Sequence, residues 1–190
     1  MAHKILAFAG SLRSGSLNRK LVRIAAQGAR DAGAEVTEID LRDMPMPLYD
    51  GDMEREQGLP PNARRFKRLL AEHKGVLISS PEYNTAITAV LKNAIDWASR
   101  TEPGEPPLLA FKGKVGGLMS ASPGNLGGVR SLAMLRAILS HLGVIVVPMQ
   151  LGIARANEAF DADGNLLDER QRETIRSIGA EVVTFVHKLV

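Results

Sequence analysis

The stretch Gly10-Ser11-Leu12-Arg13-Ser14-Gly15-Ser16-Leu17-Asn18 gathers hydroxyls, small residues and one guanidinium between an apolar run and a helix-like pattern. Backbone N–H groups at the positive end of a helix, with an arginine beside them, suit an anion. Gly10 and Gly15 have the spacing of a nucleoside-triphosphate loop, but Ser16-Leu17 stands where Lys-Ser/Thr is required. The dinucleotide pattern GxGxxG is absent as well. A single phosphate monoester, about −2 in charge by analogy with phosphorylated side chains, matches better. Ser16 or Asn18 capping the helix would account for those two residues without a ligand. A cap needs no cation, so Arg13 is the discriminating residue.

Two further loops carry polar chemistry. Pro81-Glu82-Tyr83-Asn84 follows a second apolar run and suits a flat heterocycle with polar edges, although an ordinary turn with Asn84 as turn former explains it equally. Ser120-Ala121-Ser122-Pro123-Gly124-Asn125-Leu126-Gly127-Gly128 offers hydroxyls and close backbone approach at another helix start. Together the three loops define one pocket.

Other chemistries find no support. The chain of 190 residues has no cysteine, which removes disulfides, zinc–thiolate centres, iron–sulfur clusters and cysteine nucleophiles. Redox activity would therefore need a borrowed cofactor. GxSxG is missing, and His3, His73, His141 and His187 are scattered singly, so neither a serine elbow nor a histidine metal site is expected. Asp161-Ala162-Asp163-Gly164-Asn165 places glycine fourth where a calcium loop needs it sixth, and reads as a turn.

Twenty-four basic against 21 acidic residues give +3, with the signs interspersed. The densest basic cluster, Arg64, Arg65, Lys67 and Arg68, reads as a solvated helix face, and no nucleic-acid partner is expected. The start lacks the pattern of a signal peptide and no window approaches 18 apolar residues, so a cytoplasmic protein without a membrane span is expected.

The elements that must position these loops are readable from hydrophobic period. Residues 4–9, 75–80, 115–121 and 144–147 are short apolar runs, as buried strands require, and 35–41 alternates like an edge strand. Helical spacing runs from Leu21 to Gly33 and over 62–73, 89–99, 128–142 and 168–189, the last with Phe185 and Leu189 inward. Residues 42–61 form a long connection with four prolines. Alternating strands and helices predict an α/β fold, a single domain over 1–190 with a doubly wound parallel sheet. Five strands fit the flavodoxin-like order 2-1-3-4-5, with ligands beyond the carboxyl ends of the strands.

Gly10-Ser11-Leu12-Arg13, Ser16-Leu17-Asn18, Ser80-Pro81-Glu82-Tyr83-Asn84, Leu91-Lys92-Asn93-Ala94-Ile95-Asp96-Trp97 and Gly127-Gly128-x-Arg130 resemble the NADPH-dependent FMN reductase family. Bacterial chromate and quinone reductases are the members most similar in type. The resemblance covers nearly the whole chain and implies bound FMN. Ser11, Arg13, Ser16, Leu17 and Asn18 would hold its phosphate, Pro81, Glu82, Tyr83 and Asn84 would border the isoalloxazine, and Ser122 would approach its other side.

NADPH or NADH would reduce the flavin, and quinones, chromate, azo compounds or free flavin would reoxidise it, with no obligatory protein acid or base. Arg100 or Lys112 would steady the reduced ring. A homodimer or homotetramer is implied, with residues 49–52 and Asp96 and Trp97 as candidate contacts. The alternative, an electron carrier that does not oxidise pyridine nucleotide, resembles strongly acidic proteins, and +3 speaks against it. One departure stands out. Thr85-Ala86-Ile87-Thr88-Ala89-Val90 replaces the proline- and glycine-bearing stretch common in similar proteins, which alters the expected lid.

Overall fold

In the computed structural model, which describes residues 2–189, five strands form one sheet in the order β2-β1-β3-β4-β5. They are β1 (Lys4–Ala9), β2 (Glu35–Asp40), β3 (Gly75–Ser79), β4 (Val115–Ala121) and β5 (Ile145–Ile153), and every neighbouring pair is parallel. The expected order and class are found. Side chains alternate across the sheet, as the two-residue strand period demands. Ile5 and Ala7 enter one core layer while Leu6 and Phe8 enter the other.

Helices α1 (Leu17–Asp31) and α6 (Glu169–Leu189) cover the first face. Helices α3 (Pro61–Glu72), α4 (Ala89–Ala98) and α5 (Val129–His141) cover the second. α1 and α6 meet backbone to backbone. A Cβ on Gly28 would collide with the Arg176 carbonyl, and one on Gly179 with the Ala25 carbonyl, so both positions require glycine.

Several expectations are corrected. The connection 42–61 is not wholly loop, since it contains α2 (Gly51–Gln57). That helix buries no residue, so it has no apolar period to read; Asp50 caps it by accepting from Asp52 N at 2.8 Å. β5 runs on through Pro148 to Ile153 instead of ending at 147. It is an edge strand with a register shift opposite Gly116–Leu118, so the missing N–H of proline interrupts no continuous ladder.

Leu189 is exposed, with Val186 filling the inward position. Lys67 is buried, not solvated, and pairs with Glu105 and, at 3.7 Å, with Glu102. Trp97 is fully buried and donates its indole N–H to the Pro47 carbonyl at 2.8 Å, so it packs within the chain and offers no surface to a neighbour. Asn93 makes the companion ties: its Oδ1 accepts from Tyr49 N, and its amide donates to Pro47 O, each at 2.8 Å. The long connection is thereby pinned to α4.

Candidate active site

The sheet ladder continues to the rim. Gly10 N donates to Ser79 O at 2.9 Å, Ser80 N to Met119 O at 3.0 Å and Ser122 N to Ile153 O at 3.0 Å. The three rim loops therefore leave the sheet side by side. Nine of the ten residues expected at a site line one cleft: Ser11, Arg13, Ser16, Leu17, Asn18, Pro81, Glu82, Tyr83 and Ser122. Asn84 is the one that does not. The enclosed volume is about 70 Å³, well below the roughly 300–1,000 Å³ of pockets that swallow whole ligands. This space suits a compact polar head, with anything larger lying across the mouth.

The donors at the N-terminus of α1 are largely unspent. Ser16 caps the helix, its Oγ accepting from Arg19 N at 3.2 Å. Among the described residues, the backbone N–H groups of Ser14, Gly15, Ser16, Leu17 and Asn18 have no protein acceptor. Arg13 enters no ion pair among those residues either, whereas Arg19, on the first turn of α1, is fully engaged. Arg19 pairs with Asp40 at 2.9 Å and donates to Arg13 O at 3.0 Å and Ser14 O at 3.4 Å, strapping the loop to the end of β2. Sequence reading missed Arg19 because nothing in its type or spacing separates a strap from a surface cation.

Asn18 points inward. Its Oδ1 accepts from Ala121 N at 2.9 Å and Ser79 Oγ at 2.7 Å, while its amide donates to Ala121 O at 2.7 Å. One buried side chain thus ties α1 to the ends of β3 and β4. Thr88 does similar work nearby, donating to Gly10 O at 2.7 Å while capping α4. Ser11 Oγ accepts weakly from Arg13 N at 3.4 Å, leaving its own proton free to donate.

The Glu82 carboxylate is committed to α5. It accepts from the backbone N–H groups of Arg130 and Ser131, each at 3.2 Å, and from Arg130 Nε at 2.8 Å. α5 has Gly128 at its N-cap and no side-chain cap, so Glu82 supplies the missing acceptor. Burial raises the Glu82 carboxyl, but the Arg130 guanidinium and the two backbone N–H groups outweigh that and leave it below its ordinary value. Arg130 belongs to the Gly-Gly-x-Arg stretch of the sequence, where no partner was apparent. Ser120 Oγ is buried without a partner among the described residues, against Gly128; Ser122 is the hydroxyl at the rim.

Tyr83 N and Ala86 N each donate to the other residue's carbonyl at 3.0 Å, closing a tight turn over Asn84 and Thr85. Both central residues have positive φ, 50° and 70°. For a β-branched threonine this is a strained conformation, costing about 1–3 kcal/mol. Thr85 opens the stretch 85–90 expected to alter the lid. Tyr83 is left 53% exposed at the mouth of the cleft.

Arg100 and Lys112 are not at the rim. Arg100 follows α4 and binds Glu54 at 2.9 Å, and Lys112 lies against Gly143, before β4 begins. Neither can reach a ring held by the rim loops.

A parallel sheet in this order, with an anion cradle beyond its carboxyl ends, defines a flavodoxin-like α/β protein that takes a phosphate-bearing ligand. The chain belongs to the NADPH-dependent FMN reductase family, whose pattern matches residues 3–158. It is 38% identical to an NAD(P)H-dependent FMN reductase of Pseudomonas aeruginosa, over 91% of this chain and 89% of that protein. To a quinone reductase of Escherichia coli it is 34% identical, over 87% and 86%. A solved structure of a flavoenzyme NAD(P)H:(acceptor) oxidoreductase from Paracoccus denitrificans superposes with a TM-score of 0.80 at 28% identity, covering 99% of each chain. Residues 159–190 lie beyond the family match.

Proposed function

We propose that this chain is an FMN-dependent NAD(P)H oxidoreductase that reduces quinones, with one FMN-binding unit spanning residues 1–190. The observation that carries the reading is that the N–H groups of residues 14–18 have no acceptor, and the adjacent Arg13 no ion pair, among the described residues. A phosphate monoester supplies what those donors lack. Bound FMN would accept a hydride from NAD(P)H and deliver electrons to the acceptor, chemistry that belongs to the cofactor and not to a side chain.

The protein's share is binding and orientation. Arg13, the Ser11 and Ser16 hydroxyls and the amides up to Leu17 and Asn18 hold the phosphate, with the Asn18 side chain acting only through the scaffold. Pro81, Glu82 and Tyr83 border the ring on one side and Ser122 on the other, while Asn84, expected beside them, forms the turn instead. Because the Glu82 carboxylate is spent on Arg130, residues 81–83 have main chain and the Tyr83 ring to offer. Hydride transfer to a bound flavin would call for orientation and not for a side-chain acid or base, and the further proton that a reduced quinone takes up would come from solvent.

Tyr83 at the mouth of the cleft is exposed, as are Leu12 and Leu126 in the other two rim loops. A second copy of the chain, in a homodimer or a pair of dimers, would cover such apolar surface and exclude water from the reacting face. We place the enzyme in the cytoplasm, among its reduced nucleotides. No helix among the described residues is long and apolar enough to cross a membrane.

The test is an anaerobic half-reaction. FMN-loaded protein is mixed with NADPH and, separately, NADH, and then with quinones, chromate, an azo dye and free flavin. Rapid loss of yellow colour followed by reoxidation with a quinone is the expected result. A flavin that stays yellow with both nucleotides would make the protein an electron carrier, and failure to bind FMN would remove both readings.

A further inference from the structure

Away from the rim, a cleft of about 250 Å³ opens between the outer flanks of α1 and α6 and the turn 161–165. Lys20 and Arg23 reach it from α1, Arg172 and Arg176 from α6, and Asp163 and Asn165 from the turn. Four cations therefore face one carboxylate. The acidic residues that touch these cations do not line the cleft. Arg176 binds Asp31 at 2.6 Å and Glu173 at 3.6 Å, Arg172 reaches Glu169 at 3.5 Å, and Arg23 reaches Glu38 at 3.5 Å.

Lys20 has no carboxylate partner among the described residues, and its ammonium stands 5.8 Å from the Phe160 ring centre. The turn is held by Asp161, whose carboxylate accepts from Asn165 N at 2.8 Å and from the Asn165 amide at 3.2 Å. Asn165 is thus fixed with donor capacity to spare.

Three of the four cations have carboxylate partners outside the cleft, so Lys20 supplies the unpaired charge and the guanidinium N–H groups left free by those pairs supply further donors. Three guanidinium groups match the oxygen geometry of phosphate better than a point charge does. The volume falls below the roughly 300–1,000 Å³ of drug-sized ligands, so the ligand is compact, and donors on four separate side chains call for several acceptor oxygens.

We infer that this cleft binds a small oligophosphate anion, at a site separate from the rim. Five of its nine lining residues fall within 163–176, beyond the segment 3–158 that matches the family pattern. Because the ligand would bridge α1 to α6, its binding also raises thermal stability.

The experiment titrates inorganic tripolyphosphate into FMN-saturated protein by calorimetry at near-neutral pH and fixed ionic strength, so that the rim donors are already occupied. One-to-one binding is expected. Lys20→Gln with Arg23→Gln weakens it by about tenfold or more, and neither side chain makes a short structural bond whose loss would unfold the protein. Asp163→Asn removes the one carboxylate that lines the cleft and tightens binding by about two- to fivefold, a gain that misfolding cannot produce. Arg13→Ala leaves it unchanged. The inference is overturned by no binding to the parent protein, by binding that survives the Lys20/Arg23 change, or by binding lost with Arg13, which would put the anion at the rim.

Discussion

Two helix N-termini face the same rim and are finished in opposite ways. α5 receives the carboxylate of Glu82, a permanent anion supplied by the chain itself. At the start of α1 the Ser16 cap serves only Arg19 N; among the described residues the five N–H groups of residues 14–18 have no acceptor and Arg13 beside them enters no ion pair. The electrostatic demand is alike at both ends, since any helix start exposes unpaired donors to the positive end of its dipole. One end is closed and serves the scaffold, joining the loop after β3 to α5. The other is open, and in the proposed function it serves a ligand. Residue type alone does not tell them apart.

The contrast is tested most severely at Asn18, which stands at the open end but belongs to the scaffold. Asn18→Ala strands Ser79 Oγ and both main-chain groups of Ala121 in a buried setting, and is expected to cost about 3–4 kcal/mol in denaturant unfolding of the flavin-free protein. A loss under about 1 kcal/mol would mean that Asn18 serves the ligand instead. Arg13→Ala should do the reverse. FMN affinity, followed by fluorescence titration, falls by about 10- to 100-fold, the equivalent of a charge-assisted hydrogen bond. Flavin-free stability should change by no more than about 0.5 kcal/mol.

At the closed end, Glu82→Gln should destabilise the protein by about 1–2 kcal/mol at neutral pH. The folded carboxyl titrates below its ordinary value of 4.5, so its contribution is complete above that value and is lost as pH falls through the lower, folded value. The variant's stability should therefore fall less steeply on acidification, which unfolding curves at a series of acid pH values would reveal. The smallest effect is expected at the turn beside Glu82. Thr85→Gly relieves the positive φ of a β-branched residue, and the gain, reduced by the greater freedom of glycine in the unfolded chain, is up to about 1 kcal/mol in melting experiments. No gain would show that the turn carries no strain.

What could be read beforehand follows from where the signal resides. β1, β3 and β4 are buried on both faces, so their apolar runs mark them directly. α2 was illegible because it buries nothing, and the continuation of β5 was hidden by Pro148, a residue that an edge strand tolerates. At the site, residue types located the rim loops, whereas side-chain direction was beyond reach. Asn18 and Glu82 are typical ligand-binding residues, yet both turn into the scaffold. Lys67 and Trp97 likewise combine type and position that suggest surface roles, and both are buried by partners 30 or more residues away, at Glu105 and Pro47.

The glycine contact between α1 and α6 bears on how fast a ligand comes and goes. With Gly28 packed on the Arg176 backbone and Gly179 on the Ala25 backbone, sliding or rolling α1 to form the proposed cradle on demand is opposed. The cradle exists before any encounter, so association should proceed at a rate set by diffusion and orientation, without a slow rearrangement. Substitutions among its donors would then be felt almost wholly in how long the ligand stays.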